Sequence, residues 1–94
     1  MTRIDLDGSR WKTAADFYEA LLSALGTPSW HGRNLDALND TIRGDDINKT
    51  RLPFTIHILG LATMHPDAKV VVTRFAELIA DLKAERTAVD LVFE

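Results

Sequence analysis

A single α/β domain with a three-stranded parallel sheet and helices packed on it is the fold class this sequence predicts, on three observations. Short β-branched runs alternate with longer segments of helical period, in the order strand, helix, helix, strand, helix, strand. Successive strands are separated by helical crossovers, the connection that parallel pairing requires. The chain has 94 residues, enough for one core but not for a second lobe enclosing a deep cleft. No linker, internal repeat or low-complexity run interrupts it, so one domain is expected over residues 1–94.

Each element carries its own signal. Residues 3–6 alternate charged and apolar, with Ile4 and Leu6 on one side and Asp7-Gly8 as a turn, which reads as a short first strand. Thr13 and Asp16 have capping-box spacing. Phe17, Leu21 and Leu25, with Tyr18 and Leu22, then make an apolar stripe that Gly26 and Pro28 end, so the first helix is expected over residues 14–25. Asn34 suits the N-cap of a second, shorter helix with Leu35, Leu38 and Ile42 on one side and Gly44 at its close. Pro53 leads into an apolar run over residues 54–59, read as a strand buried on both faces. A helical turn is expected within residues 60–64. Pro66 fits a first helical position, and Val71, Phe75, Leu78 and Leu82 stripe a long helix ending near Glu85. Residues 89–93 make the last strand, alternating inward and outward. His57 falls in the second strand as a half-buried, hydrogen-bonded residue, and His65, before Pro66, as a cap or an exposed side chain.

Composition narrows the function. With 46% hydrophobic and 27% charged residues the chain reads as an ordinary globular protein. It has no cysteine, which excludes thiolate catalysis, disulfides and cysteine-based zinc sites and fits a reducing cytoplasm. The N-terminal residues lack the apolar core of a signal peptide, and no apolar run approaches the roughly 20 residues that cross a bilayer, so neither export nor a membrane partner is expected. A net charge of −3 without a basic stripe argues against nucleic-acid binding. No phosphate loop, dinucleotide fingerprint, metalloprotease or nucleophile-elbow motif occurs, and no cofactor is expected.

The charge is concentrated. Between residues 34 and 46 stand Asp36, Asp40, Asp45 and Asp46 against Arg43 alone, so this segment holds the whole net charge; Arg33, Lys49 and Arg51 flank it. At about 100° per residue, Asp36 and Asp40 lie about 40° apart on the helix wheel, with Asn39 and Arg43 beside them and the apolar stripe opposite. All four polar side chains are expected to face water. Like charges four apart cost a few tenths of a kcal/mol, so the pair is not there to hold the helix together. Such a face is also what an ordinary solvated helix looks like, with Asp36 favoured by the helix dipole and Asp40 partly neutralised by Arg43. Trp30, in the loop between Pro28 and Gly32, tips the reading toward an interface, because an aromatic beside presented charge anchors protein contacts. The alternative is that it simply folds back on the core. His31 with Asp36 and Asp40 admits a metal site or an acid pair, but paired acids do general acid catalysis only when burial raises one of them.

Here a family resemblance enters. The run Trp30-His31-Gly32-Arg33-Asn34-Leu35-Asp36-Ala37-Leu38-Asn39-Asp40 is similar to the signature of the barstar family: aromatic, aromatic, Gly, x, Asn, Leu, Asp, Ala, Leu, aromatic, Asp. Beyond this motif the likeness is one of element order and length, over nearly the whole chain. Barstar-like proteins are intracellular inhibitors of guanyl-preferring microbial ribonucleases, and insert an acidic helix and its preceding loop into the cationic active site. The resemblance implies that Asp40 is the central inhibitory carboxylate and Asp36 the second, that Trp30 packs on the enzyme, and that Gly32, Asn34 and Gly44 shape the loop and helix ends. His31, Arg43, Asp45 and Asp46 complete the expected surface, with Asp81 near an acidic contact position. Asn39 departs from the pattern by replacing an aromatic, and Arg33, Asp45 and Asp46 alter the charge around the site.

The resulting expectation is a cytoplasmic, non-enzymatic inhibitor, monomeric when free, that binds one extracellular-type microbial ribonuclease. An adaptor or immunity protein of the same fold, using the acidic helix on a different basic protein, is the alternative. A small metal-dependent hydrolase built on His31, Asp36 and Asp40 is the third.

Overall fold

The computed structural model describes residues 2–27, 32–44 and 50–94. Its elements run β1 (Thr2–Asp7), α1 (Ala14–Leu25), α2 (Leu35–Gly44), β2 (Phe54–Leu59), a single 3-10 turn (Leu61–Thr63), α3 (Pro66–Ala84) and β3 (Val89–Phe93). The three strands form one sheet in the order β1-β2-β3, and both pairings are parallel.

Local chemistry explains where the elements start and stop. Thr13 accepts from the Asp16 N–H while the Asp16 carboxylate accepts from the Thr13 N–H, a reciprocal cap that opens α1; Gly26 closes it in the left-handed region at φ 69°. His65 caps α3, its Nδ1 accepting from the Asp67 N–H at 3.1 Å, with Pro66 in the first turn. After α3 the chain turns through Arg86 at φ 68°, where the Arg86 N–H donates to Lys83 O and the Thr87 N–H to Leu82 O. Gly60 ends β2 at φ 80°. A Cβ there would stand 2.5 Å from Ser9 Cβ and 2.6 Å from Ser9 Cα, so only glycine allows the β1 and β2 exits to lie this close.

Topology decides which face of the sheet is covered. Both crossovers step one strand in the same direction, so the right-handed rule sends their helices to one face. Burial agrees. Ile4, Leu6, Phe54, Ile56, Ile58 and Val89 share that face and are buried, against α1 and α3. Their alternates Arg3, Asp5, Thr55, His57 and Asp90 occupy the other. That side is open and polar, with Arg3 Nε 2.8 Å from Asp5 Oδ1 and His57 Nδ1 2.9 Å from Glu94 Oε1. The expectation that β2 is buried on both faces is therefore corrected: Phe54, Ile56 and Ile58 are buried, whereas Thr55 and His57 are only half-buried.

The core gathers between sheet and helices. All five apolar residues of the α1 stripe are buried, and Phe17 stands at the centre, its ring 5.7 Å from Trp11, 5.1 Å from Tyr18 and 5.2 Å from Phe75. Each such side chain stabilises the fold by about 1.5–3 kcal/mol. On α3 the buried set is Ala68, Val71, Val72, Phe75, Ile79 and Leu82. Leu78, assigned to the stripe from sequence, is half-buried at its edge. In β3 only Val89 is fully buried; alternation is weaker there than expected because the strand closes the sheet.

Candidate functional site

α2 is held to the body by few residues. Asn34 opens it, its Oδ1 accepting from the Ala37 N–H at 2.8 Å and its carbonyl from the Leu38 N–H at 3.1 Å. Leu38, Thr41 and Ile42 are buried, Leu35 is half-buried, and the helix packs against α3. Thr41 was not anticipated as a core residue, since nothing in its polar side chain signals burial. Asp36, Asp40 and Arg43 lie on the exposed side.

On that side Asp36 and Asp40 are both exposed, and among the described residues neither makes an ion pair. Asp36 stands in the first turn, where the partial positive charge of the helix N-terminus favours a carboxylate. Arg43 behaves otherwise than the sequence implied. Instead of neutralising Asp40, its Nη2 lies 2.7 Å from Oε2 of Glu85, at the C-terminal cap of α3. The cation on the acidic face is thus spoken for by an acid from another helix, 42 positions away in the chain. No local pattern could have signalled Glu85.

Asn39 is the second correction. It was expected to face water with its neighbours, but it is half-buried, and its Oδ1 is shut away from solvent with no hydrogen-bond partner among the described residues. Asp81 is exposed on α3, one turn before Glu85 and so on the same side of that helix. The acid that α3 brings to the end of α2 is Glu85, at its C-terminal cap. Gly32 and Gly44 are exposed at the two ends of the site. Trp30, His31, Asp45 and Asp46 lie outside the described residues.

Neither of the other histidines joins the site. His57 is on the open sheet face and bonded to Glu94, and His65 caps α3, as their positions in the sequence led us to expect. Among the described residues no three histidine, aspartate or glutamate side chains cluster closely enough to hold a metal ion. Among these residues no helix is long and apolar enough to cross a membrane.

The fold and this ridge define a class: small two-layer α/β proteins with a one-sided parallel sheet and an outlying acidic helix. The family described as Barstar (barnase inhibitor) matches residues 1–94, the whole length of the chain, and the protein belongs to the barstar family. A search of curated proteins finds no match.

Proposed function

We propose that this protein inhibits a guanyl-preferring, extracellular-type microbial ribonuclease by seating α2 and its preceding loop in the enzyme's active site, one molecule to one, in the cytoplasm of the producing cell. The observation that carries the reading is the pair Asp36 and Asp40, exposed side by side on a helix anchored from behind, with the adjacent Arg43 engaged by Glu85. A ribonuclease active site concentrates positive charge to hold the scissile phosphate and stabilise its transition state. Carboxylates on a stiff support meet those cations and offer no bond to cleave. Asp40 takes the central position and Asp36 the second, with Trp30 packing alongside and His31, Gly32, Asn34, Asn39, Arg43, Gly44, Asp45, Asp46 and Asp81 completing the surface. Membership of a family described as barnase inhibitors supports the class of target.

Titrating a barnase-type ribonuclease with the protein tests this. Wild type should abolish RNA cleavage at equimolar protein. Asp40→Ala should leave the fold intact, because the residue is exposed, and should weaken inhibition roughly a hundred- to several-thousand-fold. This follows from the about 3–5 kcal/mol lost when one member of a buried ion pair is removed. Undiminished inhibition by the variant refutes the role given to Asp40.

A second reading keeps the surface and changes the partner. It is favoured by Asn39, which puts a small amide where the family motif has an aromatic. Under it the protein is an adaptor or immunity protein for another basic protein. Capture of a basic non-nuclease partner whose binding is lost in Asp40→Ala, with no inhibition of ribonucleases, distinguishes the two.

A further inference from the structure

β3 closes one side of the sheet, so among the described residues half of its backbone groups have no strand to meet. The Phe54 N–H donates to Ala88 O and the Glu94 N–H to Ile58 O, which turns the even-numbered residues of this stretch toward β2. By the alternation of a strand, Val89, Leu91 and Phe93 present their amides outward. Two of those three N–H groups are already taken within the molecule. That of Val89 donates to Thr87 O at 2.9 Å, and that of Leu91 to Asp90 Oδ1 at 2.8 Å. The same carboxylate oxygen accepts from Lys83 Nζ at 2.9 Å. Lys83 comes from α3 on the covered face, whereas Asp90, in register with Thr55, belongs to the open face. The lysine stem therefore passes round the outer edge of β3, and a charged pair sits where the next strand would form its hydrogen bonds. Those two bonds hold the Asp90 carboxyl below the usual carboxylate range, the Lys83 bond foremost.

What the strap covers is complementary to itself. Two-fold antiparallel pairing about Leu91 sets Leu91 against Leu91 and Val89 against Phe93 on one face, and Asp90 against Val92 on the other, with no like charges opposed. Phe93 is 39% exposed. Beside it runs an open groove of about 270 Å³ between α3 and β3, walled by Ala76, Ala80, Leu91 and Phe93, whose small helix residues leave room for a neighbour. The β1 edge lacks this property. The Thr2 N–H reaches Pro53 O and the Gly8 N–H reaches Leu59 O, so Arg3, Asp5 and Asp7 point outward, and the same symmetric pairing about Asp5 opposes two carboxylates.

We propose that β3 is a self-association edge held shut by Lys83 and Asp90, and that without this strap two copies join edge to edge into one continuous sheet. A charged side chain laid over an edge strand is a known defence against such pairing; here it is supplied by the helix behind the strand. The partner is a second copy of this chain, and the inference is independent of the ribonuclease reading.

Sedimentation equilibrium over a range of protein concentrations decides it. Wild type should remain monomeric. Asp90→Ala, which loses both the Leu91 cap and the Lys83 anchor, should shift toward twice the mass as concentration rises, and adding Phe93→Lys should restore the monomer. Should Asp90→Ala fail to fold by circular dichroism, Lys83→Met, which keeps the Leu91 cap and removes only the cation, should show a weaker shift the same way. Folded variants that stay monomeric, a dimer indifferent to Phe93→Lys, or a dimeric wild type each overturn the proposal. So does unfolding of both variants, since the pair would then serve the fold and not the edge.

Discussion

Asn39 is the residue at which stability and binding pull in different directions. Its side-chain oxygen is buried and has no partner among the described residues, and a buried acceptor without a donor costs about 1–3 kcal/mol. Asn39→Leu keeps the volume and removes the polar atom. We expect the variant to be more stable by about 1 kcal/mol, a rise in Tm of about 4–8 °C for a domain of this size. Thermal unfolding checks this, and an unchanged or lower Tm means that the oxygen finds a partner in solution. A polar side chain buried at a cost to the fold, beside two exposed carboxylates, fits a surface shaped by binding.

Between elements, the Arg43 to Glu85 link couples α2 to the end of α3 and keeps the guanidinium off the acidic face. Exposed ion pairs contribute at most about 1 kcal/mol, so Glu85→Gln should barely alter stability. Its effect should appear in binding. Released, Arg43 lies one turn from Asp40 on the same side of α2 and offsets its charge. Stopped-flow association with the target should slow by a few-fold, and an unaltered rate would show that Arg43 already takes no part in the field at the site. α1 supplies a prediction about acid. The Asp16 carboxylate accepts from the Lys12 N–H at 2.8 Å and the Thr13 N–H at 3.2 Å, and these bonds, the Lys12 one first, hold it below the usual carboxylate range. A depressed folded value means that the contribution is complete above the unfolded carboxylate's pKa, about 3.9, and is lost as pH falls through the folded one. The difference in urea midpoint between wild type and Asp16→Ala should accordingly be largest near neutrality and vanish in strong acid. A constant difference would assign the loss to packing.

For the whole molecule the charge distribution matters more than its total. A net of −3 is small, but it is concentrated in one segment, so attraction to a basic partner is directional. Screening shortens from about 10 Å at 0.1 M salt to about 3 Å at 1 M. Added salt should therefore slow association steeply while moving Tm little, because the core is apolar and the described ion pairs are all exposed or half-exposed. A salt-independent association rate would contradict steering by this patch.

By itself the sequence determined the elements and the acidic ridge. The cap at Thr13 and Asp16, the stripe of α1, the Asn34 cap and the placing of Asp36 and Asp40 opposite Leu38 and Ile42 depend on contacts within one or two turns, and periodicity records such contacts directly. Only the tertiary structure decided that the sheet is covered on one face, leaving Thr55 and His57 on the other; that Arg43 turns to Glu85; that Asn39 loses its water; and that Lys83 lies across the edge of β3. Most of these join residues from different elements, and all depend on how the elements pack. A side chain's environment at such places is set by which surfaces meet when the apolar stripes are buried together, and no spacing along the chain encodes that geometry.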